Sequence, residues 1–184
     1  VKKLLIGYTT PILKEINMKI MFGEKVVITG KNGIGKTTFL KTILGLIPSL
    51  GGTIKMPEYN KIVYYSQEMD ERGDVTPFDY IKDTYPKMDD KDVRSLLNRY
   101  GITSDLVIKP INKLSGGEIS KVRFAKLSLE DSNLLILDEP TNHLDKIAKE
   151  SLFESIENYP GTVILVSHEK EFYKKLKMKE IHFS

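Results

Sequence analysis

The sequence predicts an α/β fold with a mainly parallel sheet core, antiparallel strands near the N-terminus and a small inserted helical subdomain. Strand-sized apolar runs occur at 134–137 and 163–166, and strands that are apolar on both faces are typical of buried parallel sheets. Strand and helix patterns alternate along the chain, which also favours a parallel core. A glycine-rich loop at 30–35 lies between an apolar run and a helical pattern.

The first third of the chain contains four predicted strands and one helix. The two earliest runs alternate in polarity as half-buried strands do. Apolar residues from 39 to 47 recur at helical spacing. The strands are expected at 3–8, 17–22, 24–30 and 61–66, and the helix at 36–46.

The middle of the chain, about 70–112, changes to short helical patterns separated by charged turns. We expect an inserted helical subdomain here, extending to about residue 130. The remaining elements are expected as a helix at 117–129, a strand at 133–140, a helix at 145–159, a strand at 162–168, a short helix and a last edge strand at 180–184.

Composition restricts the class of protein. The 184 residues are 40% apolar and 29% charged, as expected for one globular domain. The chain has no cysteine and no apolar run near the ~20 residues that span a membrane, so we expect a cytoplasmic location and no transmembrane segment. Because the first residue is Val, we expect the chain to be part of a longer protein.

The glycine loop has the spacing of a phosphate-binding loop, G-x-x-x-x-G-K-[ST]. Its glycines allow backbone N–H groups to point at phosphates, Lys36 can reach the terminal phosphates, and Thr37 can bind Mg²⁺. A glycine turn that only links strand to helix is the alternative, which the flanking strand and helix disfavour. The predicted nucleotide-binding residues of this loop are Gly30, Lys31, Asn32, Gly33, Ile34, Gly35, Lys36, Thr37 and Thr38.

Polar residues follow three of the predicted strands, at the edge where parallel sheets bind ligands. Asp138 is expected to bind Mg²⁺, and Glu139 to act as general base on a water in line with the γ-phosphate. His168 can hydrogen-bond the γ-phosphate and orient the water, and Gln67 can bind Mg²⁺ weakly. Taken singly, the two acids could merely end a strand and the histidine could be structural.

A second anion-binding pattern lies at 115–118. Ser115, Gly116 and Gly117 precede Glu118 at a predicted helix start, where free N–H groups favour an anion. An ordinary helix cap is the alternative.

The ordered motifs resemble the ATP-binding cassette family of ATPases over nearly the whole chain. The matching segments are GKNGIGKTT, SQ at 66–67, LSGGE at 114–118, LLILDEP, NHLD at 142–145 and SH at 167–168.

The resemblance implies ATP and Mg²⁺ as cofactors and a second cassette as partner, from the same parent chain or from a second copy. Two cassettes of this family pair head to tail, so Ser115, Gly116, Gly117 and Glu118 would bind the nucleotide held by the other cassette. Tyr8 would stack on adenine, with an ordinary strand-end tyrosine as the alternative. Gln67 would be the lid glutamine, and Asp145 would signal across the interface.

Within the family, TNHLD at 141–145, Glu118 after SGG and a short segment between Thr38 and Gln67 resemble the soluble F branch. Members of that branch carry two cassettes in one chain and act on ribosomes, as translation factors or in antibiotic protection. The linker that reaches into the ribosome is not in this sequence. With no inserted arm in residues 70–112, a second, C-terminal cassette is favoured.

Three alternatives remain. The ATPase subunit of a membrane transporter is the main one, and it would need a groove in 68–112 for a coupling helix. A module that binds ATP without hydrolysis is disfavoured by the presence of Glu139, His168 and Gln67. A DNA-repair ATPase would need long coiled-coil insertions, so no direct DNA binding is expected.

Overall fold

A computed structural model describes residues 1–65, 74–142 and 144–184. Seven strands and seven α-helices occur within these ranges. The strands are β1 Lys2–Leu5, β2 Lys25–Thr29, β3 Gly51–Thr53, β4 Ile62–Tyr65, β5 Leu134–Asp138, β6 Thr162–Val166 and β7 Lys179–His182. The helices are α1 Lys36–Ile43, α2 Pro77–Thr84, α3 Asp90–Arg99, α4 Ser104–Val107, α5 Gly116–Leu127, α6 Lys146–Asn158 and α7 Lys170–Lys175, with a short 3₁₀ helix at Ile111–Lys113.

The described chain divides into two compact units. Unit 1 comprises Val1–Ser66, Ser132–Pro140 and Tyr159–Ser184, and unit 2 comprises Gln67–Asp131 and Thr141–Asn158. The expectation of a single domain within a longer two-cassette chain stays a prediction.

Unit 1 contains a five-stranded parallel sheet with the strand order β4-β5-β6-β2-β7. β5 and β6 are buried along their whole length, which confirms the parallel core predicted from their uniform apolarity. The last predicted strand forms β7 at one edge. α1 packs on this sheet, and its Phe39 ring meets Phe183 edge to face at 5.3 Å between centroids.

The N-terminal strands are antiparallel, as predicted. β1 pairs with β3, in a register that places Lys2 opposite Thr53. The prediction of a strand at 17–22 is wrong, since only Ile16 forms a bridge, to Leu4. Beyond Met18, whose N–H donates to the Val1 carbonyl, the segment has no backbone hydrogen bond to a neighbouring strand among the described residues, and the Met21 carbonyl accepts from the Glu24 amide instead. β3 was not predicted because its Gly51 and Gly52 read as a loop.

Unit 2 is helical. α2 begins at Pro77 with the Thr76 side chain as N-cap, and the amphipathic α3 buries Val93, Leu96 and Leu97. These helices pack with α4, α5 and α6 around fully buried side chains that include Ile81, Leu97, Ile102, Leu152 and Ile156. None of the helices in the described ranges is long and apolar enough to cross a membrane.

Candidate nucleotide-binding site

The phosphate loop connects β2 to α1. Gly35, the N-cap of α1, has φ +108°, and a Cβ atom there would lie 2.6 Å from Cδ1 of Ile12. Gly30 has φ +147°, and a Cβ atom would lie 2.7 Å from the Phe183 carbonyl oxygen. Both positions therefore require glycine, because a side chain would be strained by the positive φ and would also clash.

Adjacent strands bring the predicted catalytic residues together. β5, β6 and β2 are neighbours in the sheet. Asp138 ends β5, His168 follows β6, and the phosphate loop follows β2, so all three approach the same carboxyl edge. They line a cavity of about 270 Å³ together with Asn32, Gly33, Gly35, Lys36, Thr37, Thr38, Glu139 and Val166.

The Lys36 ammonium is buried, with 7% of the residue exposed. Its Nζ donates to the carbonyl oxygens of Gly30 (3.0 Å) and Lys31 (3.1 Å) and lies 3.0 Å from Nε2 of His168. A lysine ammonium has three N–H donors. Two of them therefore have carbonyl acceptors within unit 1, the third has one when Nε2 of His168 carries no proton, and a bound phosphate must compete with these acceptors.

Glu139 contacts the same nitrogen of His168, with 2.9 Å between its Oε1 and Nε2. Nε2 donates to Glu139 when it carries a proton and accepts from Lys36 when it does not. Burial raises the pKa of Glu139, and the nearby His168 and Lys36 oppose that rise. Glu139 also has φ +49°, a conformation that costs a non-glycine residue roughly 1–2 kcal/mol. Such strain is found most often at functional positions.

Asp138 is buried beside the loop, and burial raises its pKa while a hydrogen bond from Thr37 and the charge of Lys36 lower it. Its Oδ1 is buried and has no hydrogen-bond partner among the described residues. An unpartnered carboxylate oxygen next to a hydroxyl is a suitable pair of ligands for a hard cation such as Mg²⁺.

The remaining described site residues do not line this cavity. Tyr8 is in unit 1 with 71% of its surface exposed, which leaves its ring accessible for stacking. Gln67 lies outside the described residues. Gly30, Lys31 and Ile34 belong to the phosphate loop. The segment at 115–118 and Asp145 belong to unit 2.

The segment at 115–118 forms the N-terminus of α5. The Ser115 hydroxyl accepts from the Glu118 amide (3.3 Å), and Glu118 Oε2 accepts from the Ser115 amide (2.7 Å), which makes a capping box. The hydrogen bond from the Ser115 amide lowers the pKa of Glu118. The amides of Gly116 and Gly117 donate to no described residue, and a Cβ atom on Gly116 would contact nothing within 4 Å. Packing within the chain therefore does not explain a glycine at 116.

Asp145 caps α6 and pairs with Lys121. Its Oδ1 accepts from the Ala148 amide at 2.9 Å, and its Oδ2 is 2.7 Å from Nζ of Lys121. Lys121 was not predicted from sequence. The sequence indicated a role for Lys121 only through its position. It lies three residues after Glu118, on a face of α5 that is otherwise rich in apolar residues.

A parallel α/β sheet with a glycine phosphate loop and an acid at its carboxyl edge defines the P-loop nucleoside-triphosphatase class. The sequence matches the family described as ABC transporter over residues 13–142. The chain therefore belongs to the ATP-binding cassette (ABC) family, and its cassette is an ATPase domain.

Relatives and a solved structure agree with this assignment. The chain is 40% identical over 172 residues to YfmM, an uncharacterized ABC transporter ATP-binding protein of Bacillus subtilis, covering 94% of this chain and 33% of that protein. It is 39% identical to ABC transporter F family member 2 of Arabidopsis thaliana, covering 96% of this chain and 26% of that protein. It thus spans a third or less of the length of these relatives. The fold matches a dimeric ATP-binding cassette, MJ0796, bound to ADP and Pi, with a TM-score of 0.80, 21% identity and coverage of 100% and 93%.

Proposed function

We propose that this cassette binds and hydrolyses ATP as one of two cassettes in an F-type factor that acts on ribosomes in the cytoplasm. The observation that carries the hydrolysis step is that Lys36 and Glu139 each lie within hydrogen-bond distance of Nε2 of His168 in one cavity. The similarity to an F family member, together with the TNHLD motif, supports the F-type assignment.

In the proposed mechanism the loop N–H groups and Lys36 bind the β- and γ-phosphates of ATP. Lys36 leaves its carbonyl acceptors for the phosphate oxygens, an exchange of partners that keeps the buried ammonium hydrogen-bonded. His168 contacts the γ-phosphate, and Glu139 accepts a proton from the attacking water. A raised pKa suits that role, because a carboxylate of higher pKa is a stronger base.

Thr37 and Asp138 would hold Mg²⁺, and Gln67 is proposed as a weak third ligand. The buried, unpartnered Oδ1 of Asp138 supports this assignment. A bound Mg²⁺ supplies positive charge that stabilises the phosphate oxygens during transfer.

The N-terminus of α5 is proposed to bind the γ-phosphate held by a second cassette. The free amides of Gly116 and Gly117 and the open surface at Gly116 support a ligand from outside the chain. The solved cassette of the same fold is dimeric. Hydrogen bonds to a charged phosphate contribute about 1.5–3 kcal/mol each, so ATP would hold the pair together and hydrolysis would release it. Asp145, which caps α6, is proposed to respond to that pairing, and Tyr8 to stack on adenine.

The second candidate is the ATPase subunit of a membrane transporter, since YfmM is described as an ABC transporter ATP-binding protein. A sedimentation assay separates the two. Glu139→Gln in the full parent protein is mixed with ATP and with either purified ribosomes or membrane vesicles. ATP-dependent sedimentation with ribosomes supports the F-type proposal. Sedimentation with vesicles alone contradicts it and favours the transporter.

A further inference from the structure

The positive charge of the chain is concentrated in unit 1. This unit contains 15 lysines and eight acidic residues, whereas unit 2 contains 13 basic and 17 acidic residues. A surplus of positive charge attracts polyanions and speeds their association. Only two of the 15 lysines, Lys31 and Lys36, belong to the phosphate loop, so the nucleotide site does not account for the surplus.

Lysines are densest on α7 and directly after it, where five occur between residues 170 and 179. All five are exposed. Lys179 pairs with Glu24, with 3.4 Å between Nζ and Oε1, and Lys175 also has an interaction within the chain. The other three, whose ammonium groups contact no acid among the described residues and which we call the α7 lysines, are Lys170, Lys174 and Lys177.

The helix dipole explains only one of these three charges. A cation is favourable in the last turn of a helix and unfavourable in the first. Lys174 is in the last turn of α7, which accounts for its charge, whereas Lys170 is the first residue of the helix. Lys177 follows the C-cap, Leu176, and its ammonium bonds to none of the described carbonyls. The stability of α7 therefore does not require a positive charge at 170 or 177.

Lys177 has a backbone conformation that favours glycine, with φ +52°. Its amide donates to the Lys174 carbonyl (3.0 Å), and the Met178 amide donates to the Tyr173 carbonyl (3.4 Å). This is the hydrogen-bond pattern of a Schellman motif, in which glycine is the usual residue because a side chain is strained there. Since the lysine side chain has no partner among the described residues, no contact within them offsets the strain. Strain of this kind is found most often at functional positions.

We propose that the α7 lysines form a binding surface for the phosphate backbone of RNA. This proposal rests on the proposed function, because it identifies the chemical component of the ribosome that unit 1 contacts. Lysines bind phosphates as point charges, and each such contact releases counterions from the nucleic acid. Lys170 and Lys174 are one helical turn apart and share a face of α7. The hydrogen bond from the Lys177 amide places Lys177 directly after them, so the three charges follow one another along the surface.

The apolar side of α7 favours RNA over a lipid surface. Phe172, Tyr173 and Leu176 are buried within the described chain. A helix that binds a membrane inserts its apolar face between the lipids, and α7 has no such face left. Its exposed side offers charge alone, which is what a phosphate backbone recognises.

The first test measures binding of a fluorescein-labelled RNA hairpin by fluorescence anisotropy, at 50 to 200 mM KCl and without ATP. The 184-residue chain is compared with two variants that each lose three positive charges. The first variant combines Lys170→Gln, Lys174→Gln and Lys177→Gln. The matched control combines the same change at three exposed lysines elsewhere in unit 1, which are Lys14, Lys19 and Lys55.

Each lysine that neutralises a phosphate contributes roughly 0.7–0.9 to the slope of log K against log salt concentration. The α7 variant should therefore lose about 2 from the magnitude of that slope and bind the hairpin at least ~10-fold more weakly at 50 mM KCl. The control should stay within about 3-fold of the wild type. Equal losses in the two variants, or a wild-type chain that does not bind the hairpin, would overturn the proposal. Binding to phosphatidylserine vesicles but not to RNA would also overturn it and assign the surface to membranes.

Lys177→Gly separates RNA binding from stability. Glycine relieves the strain at this position and should raise Tm by about 2–4 °C in a chain of this size, yet it should weaken binding of the hairpin. A fall in Tm would show that the lysine side chain stabilises the fold and would contradict the proposal.

Sedimentation with ribosomes distinguishes failure of this proposal from failure of the proposed function. The α7 variant and its control are each combined with Glu139→Gln in the full parent protein and mixed with ATP and ribosomes. Weaker sedimentation of the α7 variant alone supports the RNA-binding surface. Equal sedimentation of both overturns the surface and leaves the F-type function intact. If the parent protein itself does not sediment, the F-type function fails, and the hairpin assay, which needs neither ATP nor ribosomes, still decides whether the α7 lysines bind RNA.

Discussion

Nζ of Lys36 lies 3.0 Å from Nε2 of His168, and the same Nε2 lies 2.9 Å from Oε1 of Glu139. The phosphate-binding lysine and the proposed general base are therefore linked through one histidine nitrogen. Nε2 can form a hydrogen bond with only one of the two at a time. It donates to Glu139 when it carries a proton and accepts from Lys36 when it does not. A phosphate that binds Lys36 leaves Nε2 of His168 available for either Glu139 or the γ-phosphate.

Removal of the proposed base tests the hydrolysis step. We expect Glu139→Gln to bind ATP but to hydrolyse it at least ~10²-fold more slowly, within the range for general-base catalysis. Steady-state phosphate release measures the rate, and equilibrium binding of ATP measures the affinity. The matched control is Glu171→Gln, an exposed acid on α7. Near-normal turnover in Glu139→Gln would mean that another group, with His168 the next candidate, is the base.

Removal of the lysine charge tests phosphate binding. Lys36→Ala is expected to abolish detectable ATP binding, because the buried ammonium is the charge that reaches the terminal phosphates. Isothermal titration calorimetry with ATP is the measurement, and Lys174→Ala on α7 is the control for net charge. An unchanged ATP affinity in Lys36→Ala would show that the loop does not bind the nucleotide as proposed.

Much of unit 1 was predictable because its signals are local. The apolar runs of β5 and β6 specify buried parallel strands, and the glycine loop places Lys36 at a helix start. Their adjacency in the sheet then brings Asp138, Glu139 and His168 to one edge. These features follow from sequence spacing combined with the rules of parallel sheets.

Features that depend on distant partners were not predictable. The segment at 17–22 alternates like a strand, yet it needs β1 beside it to become one and has that partner only as far as Met18. β3 contains Gly51 and Gly52, and it is a strand only because β1 pairs with it. The ion pair of Lys121 with Asp145 joins residues 24 positions apart, which no local pattern reveals.

A charge at the N-terminus of α5 tests the proposed pairing of cassettes. Ser115→Arg is expected to leave ATP binding by the single cassette unchanged but to prevent ATP-dependent dimer formation. Size-exclusion chromatography with ATP in a Glu139→Gln background measures dimer formation. Because loss of the Ser115 cap costs about 0.5–2 kcal/mol, Ser115→Asp is a second variant. It keeps the cap yet repels phosphate, and it should also block pairing.

The control for those variants is Ser104→Arg, an exposed serine in α4, which should still form dimers. If Ser115→Asp instead abolished ATP binding by the monomer, the N-terminus of α5 would serve the cassette's own nucleotide.

Loss of Asp145 is expected to lower the stability of the fold more than loss of its ion-pair partner Lys121. Lys121 is largely buried whereas Asp145 is 56% exposed. Asp145→Ala leaves a buried ammonium without its partner and removes the cap of α6, so it should lower Tm more than Lys121→Met, which keeps the apolar volume. Thermal unfolding of both variants checks the order. The reverse order would show that the pair is not what stabilises this end of α6.

The pH dependence of stability should have opposite signs at Glu139 and Glu118. Burial raises the pKa of Glu139 in the folded chain, so the folded state binds protons more tightly there and its stability falls as pH rises through that pKa. Glu139→Gln should therefore raise Tm at pH 7.5 in the absence of nucleotide and metal. That gain should shrink toward zero near pH 4, where the wild-type carboxyl is protonated.

Glu118 provides the contrast. The Ser115 amide lowers its pKa, so its ionised form stabilises the fold above the ordinary carboxyl pKa, and this stabilisation is lost as pH falls through the lowered value. Glu118→Gln should lower Tm at pH 7.5, with a difference that disappears in acid. Melting curves of the two variants and the wild type from pH 4 to pH 8 test both signs. If both glutamine variants shifted Tm in the same direction at pH 7.5, burial at Glu139 would not be the dominant influence on that carboxyl group.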